Sequence, residues 1–475
     1  VYESYLSYMA QNPIEIRDAR RASLIEAKEK SRQKRKEQGI YYTPMFIVNY
    51  IVEHTLGEKL KEVKSVNELK QIKILDPACG SGSFLTKALE TMNDKYKDFG
   101  NRGDQFTKAS ILMENIYGLD LDPKAVELAK LNLLVDALDK KGRLPDLTGN
   151  LRVGNALISG TEEELKKYFG DNWRDKKPFN WNEEFNSVKG GFDVIIGNPP
   201  YGAELSEAEQ NYYKKFDIGS TDTAILFIKK DLEFLKVGGY LGYIIPKAFC
   251  FASNYQKIRN FVWDYVETII DCSKVWREVK LEQVILVLKK GKKSSSYQSG
   301  KLIDGKIQLL GKINKIDATE FGFFLNGVSD KEVGIGKKIK VNSAVLNDIV
   351  KNKRGLILNK FIENAKFPVI GCKEIDRYKI RDIRGYINED LSSTNAEIKN
   401  NSVLVQGIVA HIENPIDHIK IIAVVPDNKN YLIADNLNQQ RFVPSKPEVN
   451  ITWVDTTGEA EILYYETDAI TNPLI

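Results

Sequence analysis

Cysteine and histidine are scarce. The chain has four cysteines (Cys79, Cys250, Cys272, Cys372), widely spaced and without a C-x-x-C pair, and three histidines, His54, His411 and His418. That spacing argues against a disulfide framework and against a Cys/His zinc site, so no metal ligand set is expected. Long apolar runs are missing too: no stretch of 18 or more apolar residues occurs, and the opening VYESYLSYMAQNP lacks the basic-then-apolar layout of a secretion signal. A soluble intracellular protein with no membrane partner is therefore expected, and the start at Val1 rather than Met suggests a fragment or processed chain. Charge of one sign is not in large excess, since 69 Lys and Arg against 65 Asp and Glu leave a formal charge of +4. This permits nucleic-acid binding without demonstrating it.

What is present is ordinary globular composition, 475 residues with 42% hydrophobic and 28% charged, which excludes disordered, collagenous and coiled-coil classes. At roughly 150 residues per domain, two or three folded units are expected. Residues 1–38 read as a helical connector ending in the basic run KEKSRQKRKEQ, either a solvated face laced with salt bridges or a phosphate-tracking arm. Over 39–290, the apolar segments KILDPA, NIYGLDLD, LRVGNAL, FDVIIGNPP, GYLGYIIP, VETIIDC and QVILVLKK alternate with amphipathic stretches such as Pro123–Leu134 and Thr223–Leu235. Strand and helix in turn predict an α/β domain with a mostly parallel sheet and ligands beyond the carboxyl ends of its strands. The polar GKKSSSYQSG opens an expected linker over 291–340, and runs such as KFPVIG and SVLVQGIVAHI predict a β-rich domain over 341–475.

Three motifs carry chemistry. In ILDPACGSGSFL, Asp76 ends a strand, Gly80 and Gly82 let the backbone approach a ligand, and a helix start follows. A carboxylate before the glycines suits a cationic amine, and no lysine follows in the loop to serve a triphosphate, which disfavours ATP. In IYGLDLDP, Asp120 is placed to accept both hydroxyls of a ribose, while Asp122 suits the cap of the helix opening at Pro123. In FDVIIGNPPYG, two prolines stiffen a loop at a strand's carboxyl end. The Asn198 side-chain oxygen and the Pro199 carbonyl suit the two N–H bonds of an exocyclic amine, and Tyr201 suits stacking on its ring. Taken alone, such a tetrapeptide reads as a plain turn.

Together and in this order, these motifs resemble the amino-group DNA methyltransferases that use S-adenosylmethionine, over roughly residues 39–290. GIYYTPMFIVNYIV, preceding the glycine loop, resembles the family segment that closes over the methionine end of the cofactor, with Tyr42 and Thr43 near its carboxylate. The order of segments resembles the gamma arrangement of adenine-N6 enzymes, and the leading helix with KRKEQGIYYTP resembles fused, type IIG-like restriction-modification enzymes. The resemblance implies a Rossmann-like methyltransferase sheet in which Asp76, Ala78, Gly80 and Gly82 line the methionine side. It also implies that Asp120 and Leu121 hold the ribose and one adenine face, and that Asn155 and Ala156 meet the cofactor's amino group. The family often has Asp where Asn155 stands and an aromatic where Ala156 stands.

The resemblance further implies that Asn198, Pro199, Pro200 and Tyr201 perform the catalysis, that Asp222 heads a helix, and that a strand ends at Pro246. Trp276 would close the target-base pocket opposite Tyr201, with a plain core tryptophan as the alternative. Lys353, Arg354, Lys373, Arg377 and Arg381 are candidate DNA contacts, or solvated surface. The expected partners are double-stranded DNA and a nuclease domain outside this chain, in a prokaryotic cytoplasm. The alternatives are methylation of RNA or of a protein glutamine amide, and a catalytically idle DNA-binding subunit.

Overall fold

The computed structural model of the chain describes residues 43–137, 145–276 and 281–341, much of 350–406, and shorter stretches between 423 and 463. The helix expected over 1–38 lies outside the described residues. Two compact units meet at the boundary between Ile335 and Gly336.

All seven expected strands of the first unit form: β1 (Ile74–Asp76), β2 (Ile116–Asp120), β3 (Leu151–Val153), β4 (Phe192–Gly197), β5 (Leu235–Pro246), β6 (Val266–Ser273) and β7 (Gln283–Lys289). Two further strands, β8 (Ser296–Ile303) and β9 (Lys306–Asn314), extend the same sheet, whose order is β3-β2-β1-β4-β5-β7-β6-β8-β9. Strands β1 to β5 pair in parallel, and β7 inserts antiparallel between β5 and β6. Every residue of β4 is buried, as a parallel strand covered on both faces requires.

Four helices matter for the site: α1 (Met45–Val52), α2 (Ser83–Asp98), α3 (Pro123–Ala137) and α4 (Thr223–Phe234). Helix α1 buries Ile47, Val48, Ile51 and Val52 and runs on through a π turn at Glu53–Gly57. Methyl groups of Ile51 and Thr55 fill the space a side chain at Gly242 would occupy, so this helix lies directly on β5.

The linker expected over 291–340 is corrected by the structure. Polar composition there reflects a sheet margin rather than a loop, because β8 and β9 pair through the backbone while β9 turns mostly exposed side chains outward. What anchors the segment is aromatic. Tyr297 is 1% exposed and donates its hydroxyl to the Leu325 carbonyl at 2.7 Å, and Phe324 stacks on Trp263 with ring centres 4.5 Å apart.

The second unit is strand-rich, as expected. One small sheet joins Val350–Arg354, Leu437–Phe442, Ser402–Gln406 and Ala423–Val424, and another joins Gly385–Ile387, Phe367–Ile370 and Leu432–Ile433. Its core is modest, built around Ile370, Ile375, Leu404 and Ile433 and around Leu358, Val369 and Ile387.

Candidate active site

The strand order reverses between β1 and β4, and parallel sheets open a crevice at such a point beyond their carboxyl ends. Asp76 and Asn198 stand at those two neighbouring strand tips. After Asp76 the chain makes a tight loop that ties two strand ends together: Cys79 N donates to Leu119 O at 2.9 Å and Gly80 N donates to Asp120 Oδ2 at 2.8 Å. Gly80 and Gly82 take φ values of +52° and +86°, which side chains resist, and the loop delivers the start of α2.

The electrostatics of this corner are unbalanced. Asp76 is 1% exposed, and burial holds its carboxyl well above the usual range, with Asp120 and Asp231 pushing the same way. Burial also raises Asp120, opposed by backbone N–H groups of Asp122 and Gly80. Among the described residues neither carboxylate has a salt bridge, so the crevice favours a cationic guest.

Asp122 caps α3 as expected, its Oδ1 accepting Lys124 N at 2.9 Å. Leu121 is 52% exposed beside Asp120. Asn155 turns its Oδ1 to its own backbone, accepting Leu157 N at 3.0 Å, and Ala156 is buried with its carbonyl accepting Trp181 Nε1.

At β4 the backbone of Gly197 passes so close to Asp76 that a side chain there would begin 2.7 Å from the Asp76 Oδ1. Asn198 follows. Its Nδ2 donates to Thr43 Oγ1 at 3.2 Å, while its Oδ1 is buried with no hydrogen-bond partner among the described residues. The proline loop is braced from α4, where the Thr223 hydroxyl donates to Pro200 O. Asp222 heads that helix as expected, Oδ1 accepting Ala224 N at 3.0 Å and Oδ2 accepting the Tyr255 hydroxyl at 2.9 Å. Pro199 and Tyr201 are buried, and Trp276 is 8% exposed within the same core. Pro246 ends β5, and Lys247 after it is held by Asp271 and Glu282, each at 2.9 Å.

Sequence reasoning missed a buried pair beneath this site. Tyr243 on β5 donates its hydroxyl to Asp231 Oδ2 at 2.5 Å, and among the described residues Asp231 Oδ1 is left without a partner. Burial pushes the Asp231 carboxyl up to about 8. It also raises the Cys79 thiol well above its usual range and lifts Cys250 and Cys272 to about 12, so these three are poor nucleophiles.

Of the candidate DNA contacts in the second unit, Lys353 and Arg354 lie exposed on the strand Val350–Arg354. Lys373 and Arg381 are exposed neighbours, Arg381 donating to the Lys373 carbonyl at 3.3 Å and lying 3.9 Å from Asp376. Arg377 and Tyr42 lie outside the described residues.

Residues 114–276 match the family model described as Eco57I restriction-modification methylase, a span that takes in Asp120, the Asn198–Tyr201 loop and Trp276. The chain is 31% identical to the type II restriction enzyme and methyltransferase RM.Eco57I of Escherichia coli, over 48% of this chain and 25% of that protein. It is 26% identical to the putative type II restriction enzyme and methyltransferase RM.MjaORFECS2P of Methanocaldococcus jannaschii, over 47% of this chain and 33% of that protein. It therefore spans a quarter to a third of the length of these relatives. The solved structure of the type IIL restriction-modification enzyme MmeI in complex with DNA shares the fold, with a TM-score of 0.53 at 12% identity over 86% of this chain and 63% of that one. Over residues 114–276 the chain is thus similar to an Eco57I restriction-modification methylase domain.

Proposed function

We propose that this chain transfers a methyl group from S-adenosylmethionine to N6 of an adenine in double-stranded DNA, within a restriction-modification system. One observation carries the reading: the buried, unpartnered Oδ1 of Asn198 at a strand tip beside Asp76. A buried acceptor without a donor is costly, and a guest N–H offsets that cost.

The residues present fit the cofactor. Apart from its two chain neighbours, no atom of the described residues lies within 4 Å of where a side chain on Gly80 would begin, so the loop leaves room for a ligand against its backbone. A positive guest would draw Asp76 and Asp120 back toward their ionised forms, and the sulfonium and amino groups of the cofactor are positive. Asp120 keeps lone pairs for ribose hydroxyls, and Asp76, Ala78, Gly80 and Gly82 line the methionine side. Leu121 offers an exposed apolar face to an adenine ring. The cofactor supplies a methyl group already activated by the positive charge on sulfur.

On the acceptor side, Asn198 Oδ1 and the Pro199 carbonyl take the two N–H bonds of the adenine amine. Those bonds draw the nitrogen lone pair out of conjugation and aim it along the line to the methyl. Tyr201 and Trp276 serve as the aromatic walls for a base swung out of the duplex, an excursion costing a few kcal/mol. Lys353, Arg354, Lys373, Arg377 and Arg381 serve as phosphate or base contacts. The raised thiols of Cys79, Cys250 and Cys272 make these three poor candidates to attack a ring carbon, which favours the amine over carbon as the acceptor. Cleavage is assigned to a nuclease beyond these residues.

Labelled cofactor offered with duplex DNA, RNA or protein tests the reading. Label recovered as N6-methyladenine in DNA is the expected result; label confined to RNA or protein overturns it.

A further inference from the structure

Thr43 stands just ahead of α1 and is 5% exposed, yet its hydroxyl reaches across 155 positions of sequence to the Asn198 amide. We propose that Thr43 is a positioning residue: its hydroxyl fixes the plane of the Asn198 amide so that Oδ1 faces the acceptor pocket. The inference rests on the reading of Asn198 as the amine acceptor and deepens it.

The argument is one of torsional freedom. The final torsion of an asparagine is soft and broad, so an amide at the end of a strand swings unless another group pins it. Here Nδ2 is pinned by Thr43 while Oδ1 is buried and unpartnered. One end of the amide is therefore committed to the protein and the other is available to a guest. The prolines stiffen the backbone after Asn198 but leave its side-chain torsions unset. Thr43 supplies that missing constraint, and it reaches the site because α1 is packed on β5 through Ile51 and Thr55.

The test compares Thr43→Val, which keeps the shape and removes the hydroxyl, with Thr43→Ser, which keeps the hydroxyl. In Thr43→Val, kcat should fall about 10- to 100-fold, the scale of a misplaced reacting group, while cofactor affinity measured by calorimetry stays within about twofold. Thr43→Ser should restore kcat. Unchanged kcat in Thr43→Val, or weakened cofactor binding at unchanged kcat, would overturn the proposal, the latter placing Thr43 at the methionine end. A second readout needs no turnover: the side-chain amide protons of Asn198, identified in asparagine-labelled protein by their loss in Asn198→Asp, should exchange with solvent faster in Thr43→Val than in the parent. Equal exchange in both overturns the contact. If the parent chain leaves adenine unmethylated while this difference in exchange is seen, the proposed activity fails and the Thr43–Asn198 constraint stands.

Discussion

Asn198 and Asp231 both leave a buried oxygen unpartnered, and they do so for different ends. The Asn198 oxygen lies at a strand tip, where a guest can reach it. Replacing Asn198 with Ala should lower kcat about 10²- to 10³-fold, comparable to removing one preorganised polar group elsewhere, with cofactor affinity unchanged by calorimetry. Asp231 is fully buried and bonded to Tyr243, beneath the site rather than in it. Its carboxyl titrates near 8 when folded, against 3.8 for an unperturbed group. The folded state therefore holds a proton that the unfolded chain releases, and this residue's contribution to stability is full below about pH 4 and is lost as pH rises toward 8. Asp231→Asn should flatten that decline, as denaturant melts between pH 5 and 9 would show; an unchanged slope would place the titration elsewhere. The residues of the first kind were legible because Asp76, Asp120 and Asn198 sit in motifs whose residue types imply a ligand. Asp231 was not, because in KKDLEF a lone aspartate on an amphipathic helix reads as solvated, and only the crossing of α4 by β5 buries it.

Among elements, the first seven strands of the large sheet were legible from apolar runs bounded by turn residues. β8 and β9 were not: GKKSSSYQSG carries the composition of a loop, and its pairing is decided by backbone hydrogen bonds and by Tyr297 docking under Phe324. The junction of β1 and β4 is set by sterics that the sequence does show, as a glycine ahead of Asn198. Gly197→Ala would drive a methyl group to within 2.7 Å of the Asp76 carboxylate at a φ of +159°. Overpacking of this kind costs roughly 1–3 kcal/mol. The variant should melt earlier and bind cofactor more weakly, because the carboxylate must move; a parent-like melt with parent-like affinity would show that the junction has slack.

At the scale of the molecule, the chain divides into two units, the first of which takes in most of the expected linker. A chain ended after residue 290 lacks Tyr297 and Phe324; the Phe324 ring packs on Trp263 and Phe249 and meets the Tyr297 ring edge-on. Loss of one buried aromatic costs about 3–5 kcal/mol. Thermal unfolding should therefore place it well below a chain ended after residue 341, and equal melting temperatures would return 291–340 to the status of a linker. The division of the second unit was less legible, since its strands are short and its two cores small.

Strands β1 and β4 are locked side by side, Ile74 against Val194 and Leu75 against Ile195. Adjacent strands lie about 4.8 Å apart. In the proposed reaction the gulf between donor carbon and acceptor nitrogen would be gauged by this hydrogen-bonded ruler in the middle of the sheet, not by the loops that decorate its rim. Lengthening, trimming or exchanging those loops should leave the ruler's graduations where they are.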